Sequence, residues 1–454
     1  MESMPTRPVS RRDLIKAASG AAAALSLSRP LAAQPSPPAG PGASMMGVPF
    51  ERREKVRFAL IGCGGRGMGL LRDILGVEGV LVKAVCDITP EKVARAQAAV
   101  TKAGQAAPEG YAKGERHFEE LCRRGDLDLV YVATPWSWHV PMAVAALEGG
   151  AHAGVEVPAA VTLEDCWRLV DTSERTRRHC VMLENCCYGW SEMLVLNLIR
   201  GGMLGELTHA ECAYIHDLRS LLFENRSEGL WRRHEHFRRN GNLYPTHGLG
   251  PVARYLDIHR GDRFERLVSM SSPSLGLQAF RDRTLTPEDP KRKETYACGD
   301  MNTSLLRTAR GRTIVLQHDV VSPRPYSRIN MVSGTKGTFT DYPPRIFFDG
   351  QEEHEWQELH QREGRPPGGI EDRYEDRLWK EVARPGRGGH GGMDYLMSYR
   401  LVQCLHEGLA PDMDVYDAAA WSAPAALSEQ SVAGGSLPVE FPDFTRGRWE
   451  DRRA

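Results

Sequence analysis

Residues 56–67 read Val-Arg-Phe-Ala-Leu-Ile-Gly-Cys-Gly-Gly-Arg-Gly, and this stretch decides the fold. Val56 to Ile61 is a short, β-rich apolar run, the pattern of a strand buried on both faces of a parallel sheet. The glycines that follow are spaced G-x-G-x-x-G. Gly62 permits a tight turn, Gly64 lets the backbone approach a pyrophosphate, and Gly67 allows a helix to pack closely on the strand. That helix is expected to run to about Leu75, with a second strand over Val80 to Cys86. Asp87 ends this strand about 20 residues beyond Gly67, where a carboxylate accepts hydrogen bonds from an adenosine ribose and repels a 2′-phosphate. The glycine spacing alone is a weak signal, but strand, helix and acid agree, and they predict a site for NAD rather than NADP.

Outward from this unit the alternation continues. Helices are expected at Pro90 to Lys102 and Phe118 to Arg124, and a strand at Leu129 to Ala133. Thr134-Pro135-Trp136-Ser137-Trp138-His139 then lies at the carboxyl edge of the strands, where open α/β sheets bind ligands, before a helix over Pro141 to Glu148. Strands at His152 to Val155 and Cys180 to Leu183 end at Glu156-Val157-Pro158 and Glu184-Asn185. Residues 55–185 are therefore expected to form an N-terminal Rossmann domain, a doubly wound parallel sheet. Beyond them, Met193 to Ile199 reads as a helix stopped by Gly201-Gly202, and Leu207 to His216 as a strand. Runs at Phe264 to Met270, Thr303 to Leu306, Thr313 to Asp319 and Arg328 to Thr340 alternate apolar and polar residues. That pattern predicts a C-terminal α+β domain over 186–454 with a largely antiparallel sheet, one face solvated and available to a second copy, the other turned to substrate. The charged, Gly- and Pro-rich tract from Gln361 to Arg387 is expected to be an irregular surface excursion.

The 58 lysines and arginines almost cancel the 59 acidic residues, which argues against nucleic acid or an anionic membrane as a partner and favours a small molecule. Ser10-Arg11-Arg12-Asp13-Leu14-Ile15-Lys16, the mildly apolar run Ala17 to Leu27 and Leu31-Ala32-Ala33 resemble a twin-arginine export signal with a cleavage site, over residues 1–33. The apolar run is shorter than the roughly 20 residues that span a bilayer, so a removable signal and a periplasmic or extracellular destination are expected. Residues 34–54 follow as a linker, whose part from Pro35 to Pro49 is expected to bury nothing. The ten cysteines are scattered through apolar stretches without a C-x-x-C pair, the pattern of buried free thiols. No H-E-x-x-H occurs, and His234 with His236 is too isolated to nominate, so no metal site is expected.

Five motifs carry a resemblance: Trp136-Ser137-Trp138-His139, Glu156-Val157-Pro158, Glu184-Asn185-Cys186-Cys187-Tyr188-Gly189, Asn242 through Tyr244-Pro245-Thr246-His247 to Pro251, and Gly389-His390-Gly391-Gly392-Met393-Asp394-Tyr395. From about Lys55 to Leu427 the chain resembles the Gfo/Idh/MocA superfamily of nicotinamide-dependent sugar enzymes. The five motifs together are similar to glycoside hydrolase family 109. The superfamily pattern has Glu-Lys-Pro where this chain has Glu156-Val157-Pro158, and in its dehydrogenases that lysine assists proton transfer. The resemblance implies an α-N-acetylgalactosaminidase that holds NAD permanently, oxidises the sugar at C3, eliminates the aglycone, adds water and restores the hydride. Gly62, Gly64, Arg66, Gly67, Met68, Asp87, Trp136, His139, Glu156, Val157 and Asn185 would bind the cofactor.

Tyr214, Arg232, Tyr244, His247 and Tyr326 would line the sugar site, with His247, Tyr244 and Tyr326 as the catalytic set. His247 offers an imidazole, a side chain suited to proton transfer, and precedes small residues that would admit substrate or cofactor, and Tyr244 would share its helical face. Without the resemblance His247 and Tyr244 read as core residues, and Arg232 as a solvated charge in the run Arg232-Arg233-His234. His390 is a weaker candidate for gating or acid catalysis. A sugar or inositol dehydrogenase of the same fold, and a non-catalytic sugar-binding relative, remain the alternative readings.

Overall fold

The computed structural model of the protein describes residues 42–362, 364–383 and 388–451. The expected export signal lies outside the described residues, as do residues 34–41 of the expected linker and residues 363 and 384–387 of the charged tract.

The chain forms a six-stranded parallel sheet from β1 (Val56–Ile61), β2 (Val80–Cys86), β3 (Glu109–Tyr111), β4 (Leu129–Val132), β5 (His152–Val155) and β6 (Cys180–Met182). Its order is β3-β2-β1-β4-β5-β6, so the order reverses between β1 and β4 and opens a crevice at their carboxyl ends. The inner strands are largely apolar because helices cover both faces; β4 is buried throughout, whereas the edge strand β3 exposes Glu109 and Gly110. The helix over Leu163–Thr176 is not among those expected; it buries Cys166, Leu169, Val170 and Ser173 on one face. It is started by Thr162, whose side chain accepts a hydrogen bond from the Asp165 backbone N–H.

A second sheet of nine strands comprises β7 (Leu207–Ile215), β8 (Phe264–Ser271), β9 (Asn302–Thr308), β10 (Thr313–Asp319), β11 (Met331–Gly334), β12 (Gly337–Thr340), β13 (Arg345–Phe348), β14 (Gln357–Glu358) and β15 (Val439–Glu440). All pairings are antiparallel except β7 with β10. The run expected over Arg328 to Thr340 is two strands, because Thr335-Lys336 turns the chain into a β11–β12 hairpin. One face of this sheet is covered by the helix Thr246–Tyr255, which lies so close to β7 that a Cβ on Gly248 would meet the Ala213 backbone at 2.6 Å. The other face is open, with Met270 and Leu305 exposed on it. Among the described residues no helix is long and apolar enough to cross a membrane.

Three expectations need correcting. The described part of the linker does bury apolar groups: Met45 is inside the core with its N–H on Tyr416 Oη, and Phe50 packs against His152 and His179. Burying a side chain such as Phe50 contributes about 2 kcal/mol, enough to fix the segment. Residues 136–139 are the first turn of a helix, Trp136–Glu148, rather than a loop before one; Pro141 is accommodated inside it. The charged tract is not wholly irregular. It holds the helix Ile370–Tyr374 and a turn at Leu378–Val382, and the fully buried Glu371 accepts the His360 N–H.

Candidate active site

At the carboxyl edge of the parallel sheet the glycine turn has the shape of a phosphate cradle. Gly62 has φ +95°, and a Cβ there would meet the Ala133 carbonyl oxygen at 2.3 Å. At Gly67 a Cβ would meet the Gly62 oxygen at 1.8 Å, so only glycine lets the helix Gly65–Leu75 approach the strand. At Gly64 a Cβ meets nothing within 4 Å. The open face therefore lies at the middle glycine, beside the helix N-terminus whose N–H groups and dipole favour an anion. Asp87 accepts the Cys63 N–H at 2.9 Å and the Thr89 N–H at 2.9 Å, which fixes its carboxylate beside the turn. These groups fit a dinucleotide.

Several residues expected to face the cofactor have other partners. Arg66 donates to Glu156 and to Asp394, both at 2.6 Å, so its guanidinium ties the glycine turn to the end of β5 and to the helix Met393–Glu407. Asn185 donates to the other oxygen of Asp394 at 2.7 Å. His390, itself largely exposed, lies 2.8 Å from Asp394 through Nδ1. Burial pushes the Asp394 carboxyl up, but His390 and Arg66 together hold it well below the usual carboxylate range. His139 is buried, with its two ring nitrogens 2.8 Å from the Pro158 and Thr134 carbonyl oxygens. It braces the loops around the edge and has no ring nitrogen left for a ligand. Met68 is half-buried, and Val157 places a buried apolar side chain where the superfamily pattern has a lysine.

The residues expected at the sugar site do come together. The Arg232 guanidinium lies over Tyr244 (4.8 Å), Trp136 (5.2 Å) and Tyr214 (6.0 Å). Tyr214, Tyr244 and His247 are in mutual ring contact at 4.6 to 5.4 Å, and Tyr326 meets Tyr214 at 6.2 Å. Arg232 is not a solvated charge: it is 6% exposed and donates to Glu228 at 2.6 Å through Nη1. Its Nε and Nη2 are buried without a partner among the described residues. Two unpaired N–H groups inside an aromatic box are costly unless a polar ligand completes them. Tyr326 is directed by Arg328, whose Nη1 donates to Tyr326 Oη at 2.9 Å while Nη2 pairs with Glu192.

His247 is held by a residue that sequence reasoning left without a role. Glu184, at the end of β6, is fully buried and its Oε1 lies 2.7 Å from His247 Nδ1. Burial raises the Glu184 carboxyl, yet the charge and hydrogen bond of His247, aided by Thr246 and the Cys186 N–H, outweigh it and hold it below its ordinary range. The carboxylate therefore orders the imidazole with its proton on Nδ1 and leaves Nε2 as an acceptor. The small residues after His247 serve packing, not ligand access: a Cβ on Gly250 would press on Glu184 and on Trp421. Tyr244 precedes the helix Thr246–Tyr255, so its contact with His247 comes from the Pro245 turn and not from a shared helical face. Glu184, Cys186 and His247 place three ligand-type atoms within 4.8 Å of one another. Two of them form the direct hydrogen bond just described, and burial pushes the Cys186 thiol well up, which keeps it protonated and a poor ligand.

Comparison with known proteins matches this architecture at both ends. Residues 188–451 match the family described as glycosyl hydrolase 109, C-terminal domain, and residues 56–184 match the oxidoreductase family, NAD-binding Rossmann fold. A glycosyl hydrolase family 109 protein of Solibacter usitatus (strain Ellin6076) is 54% identical over 98% of this chain and 99% of its own. Another from Saccharopolyspora erythraea is 51% identical over 98% of this chain and 96% of its own. Among solved structures, levoglucosan dehydrogenase in complex with NADH has a TM-score of 0.66 at 19% identity, covering 86% of this chain and 100% of that one. An inositol dehydrogenase homolog from Azotobacter vinelandii, complexed with NADH and myo-inositol, has a TM-score of 0.62 at 20% identity, covering 87% and 99%. At these identities the solved structures speak for the fold.

Proposed function

We propose that this chain, which belongs to glycosyl hydrolase family 109 and is a glycoside hydrolase with an NAD-binding domain, releases terminal α-N-acetylgalactosamine or a related hexosaminide by redox-assisted elimination. The observation that carries this reading is the Arg232 box: two unpaired buried N–H groups, three aromatic rings and an ordered His247 converge beside the nucleotide cradle. NAD+ would supply there a reversible hydride acceptor for the sugar C3–H bond. Gly62, Gly64, Gly67 and Asp87 would hold it. Arg232 donates to the acyl oxygen or ring hydroxyls of the sugar, whose apolar face lies on Tyr244 and Trp136. His247, with Nε2 free, removes the C2 proton that a C3 ketone acidifies, and Tyr244 steadies the neighbouring hydroxyl. This departs from two-carboxylate glycosidases and needs no acid pair across the bond.

A cofactor restored in every cycle stays bound and needs no outside pool, which suits an enzyme exported already folded by the twin-arginine route. Val157 disfavours a dehydrogenase, since an apolar side chain cannot shuttle a proton at the oxidised hydroxyl. The open face of the second sheet, with Met270 and Leu305 exposed, would pair two copies in a homodimer. Turnover in deuterated water tests the elimination: the released sugar is expected to carry solvent deuterium at C2 and none at C3. Product with an unexchanged C2 proton would count against it.

A further inference from the structure

The aromatic residues around His247 differ in exposure, and exposure orders them. Trp136, Tyr244 and Tyr214 are 5%, 8% and 6% exposed, whereas Tyr326 and Tyr342 are 37% and 36% exposed. The rings meet in that sequence: Trp136 to Tyr244 at 5.7 Å, Tyr244 to Tyr214 at 4.6 Å, Tyr214 to Tyr326 at 6.2 Å and Tyr326 to Tyr342 at 6.0 Å. The ladder thus runs from the edge of the nucleotide-binding sheet to solvent. A hexose lying along it has the carbon to be oxidised at the closed end and its aglycone at the open end, because the aglycone has to leave.

His216 stands at the open end, apart from the roles of Arg232, Tyr244 and His247. It is half-buried, its Nδ1 lies 2.9 Å from Tyr214 Oη, and its ring meets Tyr326 at 5.0 Å. Tyr214 in turn meets His247 at 5.4 Å, so both histidines contact the same tyrosine. Burial, then Arg232 and His247, pull His216 below the ordinary histidine range, while Asp217 and Glu228 pull the other way. A protonated His216 therefore gives up its proton readily.

Building on the glycosidase reading, we propose that Tyr214 and His216 form the proton relay for the leaving group. As the C1–O bond breaks, its electron pair goes to the leaving oxygen, which takes the Tyr214 hydroxyl proton while Tyr214 Oη takes the proton on His216 Nδ1. The C2–H electron pair becomes the C1=C2 bond, and the C2 proton goes to His247. Water addition runs the relay backwards: the water oxygen bonds to C1, its proton passes through Tyr214 to His216 Nδ1, and C2 regains a proton from His247. Tyr214 touches the reacting oxygen; His216 acts through it.

Leaving groups of different basicity test the relay, because an aryl oxide departs without a proton and an alkyl oxide does not. In His216→Gln, kcat/KM for methyl α-N-acetylgalactosaminide is expected to fall about 100-fold further than for the p-nitrophenyl glycoside, with bound NAD intact. Tyr214→Phe should shift the same ratio in the same direction, and His216→Gln should still exchange the sugar C2 proton with solvent. Equal losses on the two substrates, or no loss on either, would overturn the relay. Wild-type protein that cleaves neither glycoside would instead refute the glycosidase reading beneath it.

Discussion

Glu184 and His247 form a buried carboxylate–imidazole pair, Oε1 to Nδ1 at 2.7 Å, that joins the last strand of the nucleotide-binding sheet to the first turn of the helix Thr246–Tyr255. Every step assigned to His247 depends on this contact, since it sets which nitrogen carries the proton.

Glu184→Gln should lower kcat by about 100-fold or more while leaving bound NAD unchanged, because a neutral amide no longer fixes the Nδ1–H form or stabilises the imidazolium. The pH dependence of stability has a definite sign. The Glu184 carboxyl is depressed in the folded chain, so its contribution is fully present above the unfolded value of about 4.3 and is lost as pH falls through the lower folded value. Urea midpoints of wild type and Glu184→Gln should keep a constant separation from pH 7 to 5 and converge only below the ordinary carboxylate range. Convergence near neutrality would contradict the pairing.

The glycine turn separates folding from binding. Gly67→Ala drives a methyl onto the Gly62 oxygen and should cost folding stability, read as a lowered Tm. Gly64→Ala adds a methyl to open space, so it should fold with an unchanged Tm and yet release little or no NAD on denaturation. Full NAD content in Gly64→Ala would place the pyrophosphate elsewhere.

Much of this was legible in the sequence because a parallel sheet writes itself as apolar runs and glycine turns write their own geometry. Gly62, Gly67 and Asp87 lie where spacing predicts. Contacts between segments distant in sequence leave no such trace. Asp394 reaches Arg66 across 328 residues, and Arg66 and Asn185 read as cofactor ligands until that partner is seen. Glu184 was legible as an acid at a strand end and in one of the five motifs, but its pairing with His247 was not. The helix Leu163–Thr176 could have been found from Thr162-Leu163-Glu164-Asp165, a start signal whose cap hydrogen bond is present.

Arg232→Lys should raise KM by about 10-fold or more with little change in bound NAD. A lysine keeps the charge but loses the planar donors that Nε and Nη2 present to the box. Steady-state kinetics on an aryl glycoside check this; an unchanged KM would remove Arg232 from the sugar site.

Dialysis against EDTA should leave turnover intact, since Glu184 Oε1 and His247 Nδ1 bond to each other directly and burial keeps the Cys186 thiol protonated. Activity lost on chelation and restored by a divalent cation would make that trio a metal site and displace His247 as a free base.

On the proposed reading the nucleotide is a catalyst held within one hydrolytic cycle. Purified protein incubated with p-nitrophenyl α-N-acetylgalactosaminide and no added NAD is predicted to release p-nitrophenol over many turnovers, with no accumulation of NADH absorbance. NADH formed in proportion to enzyme, with no p-nitrophenol, would contradict it.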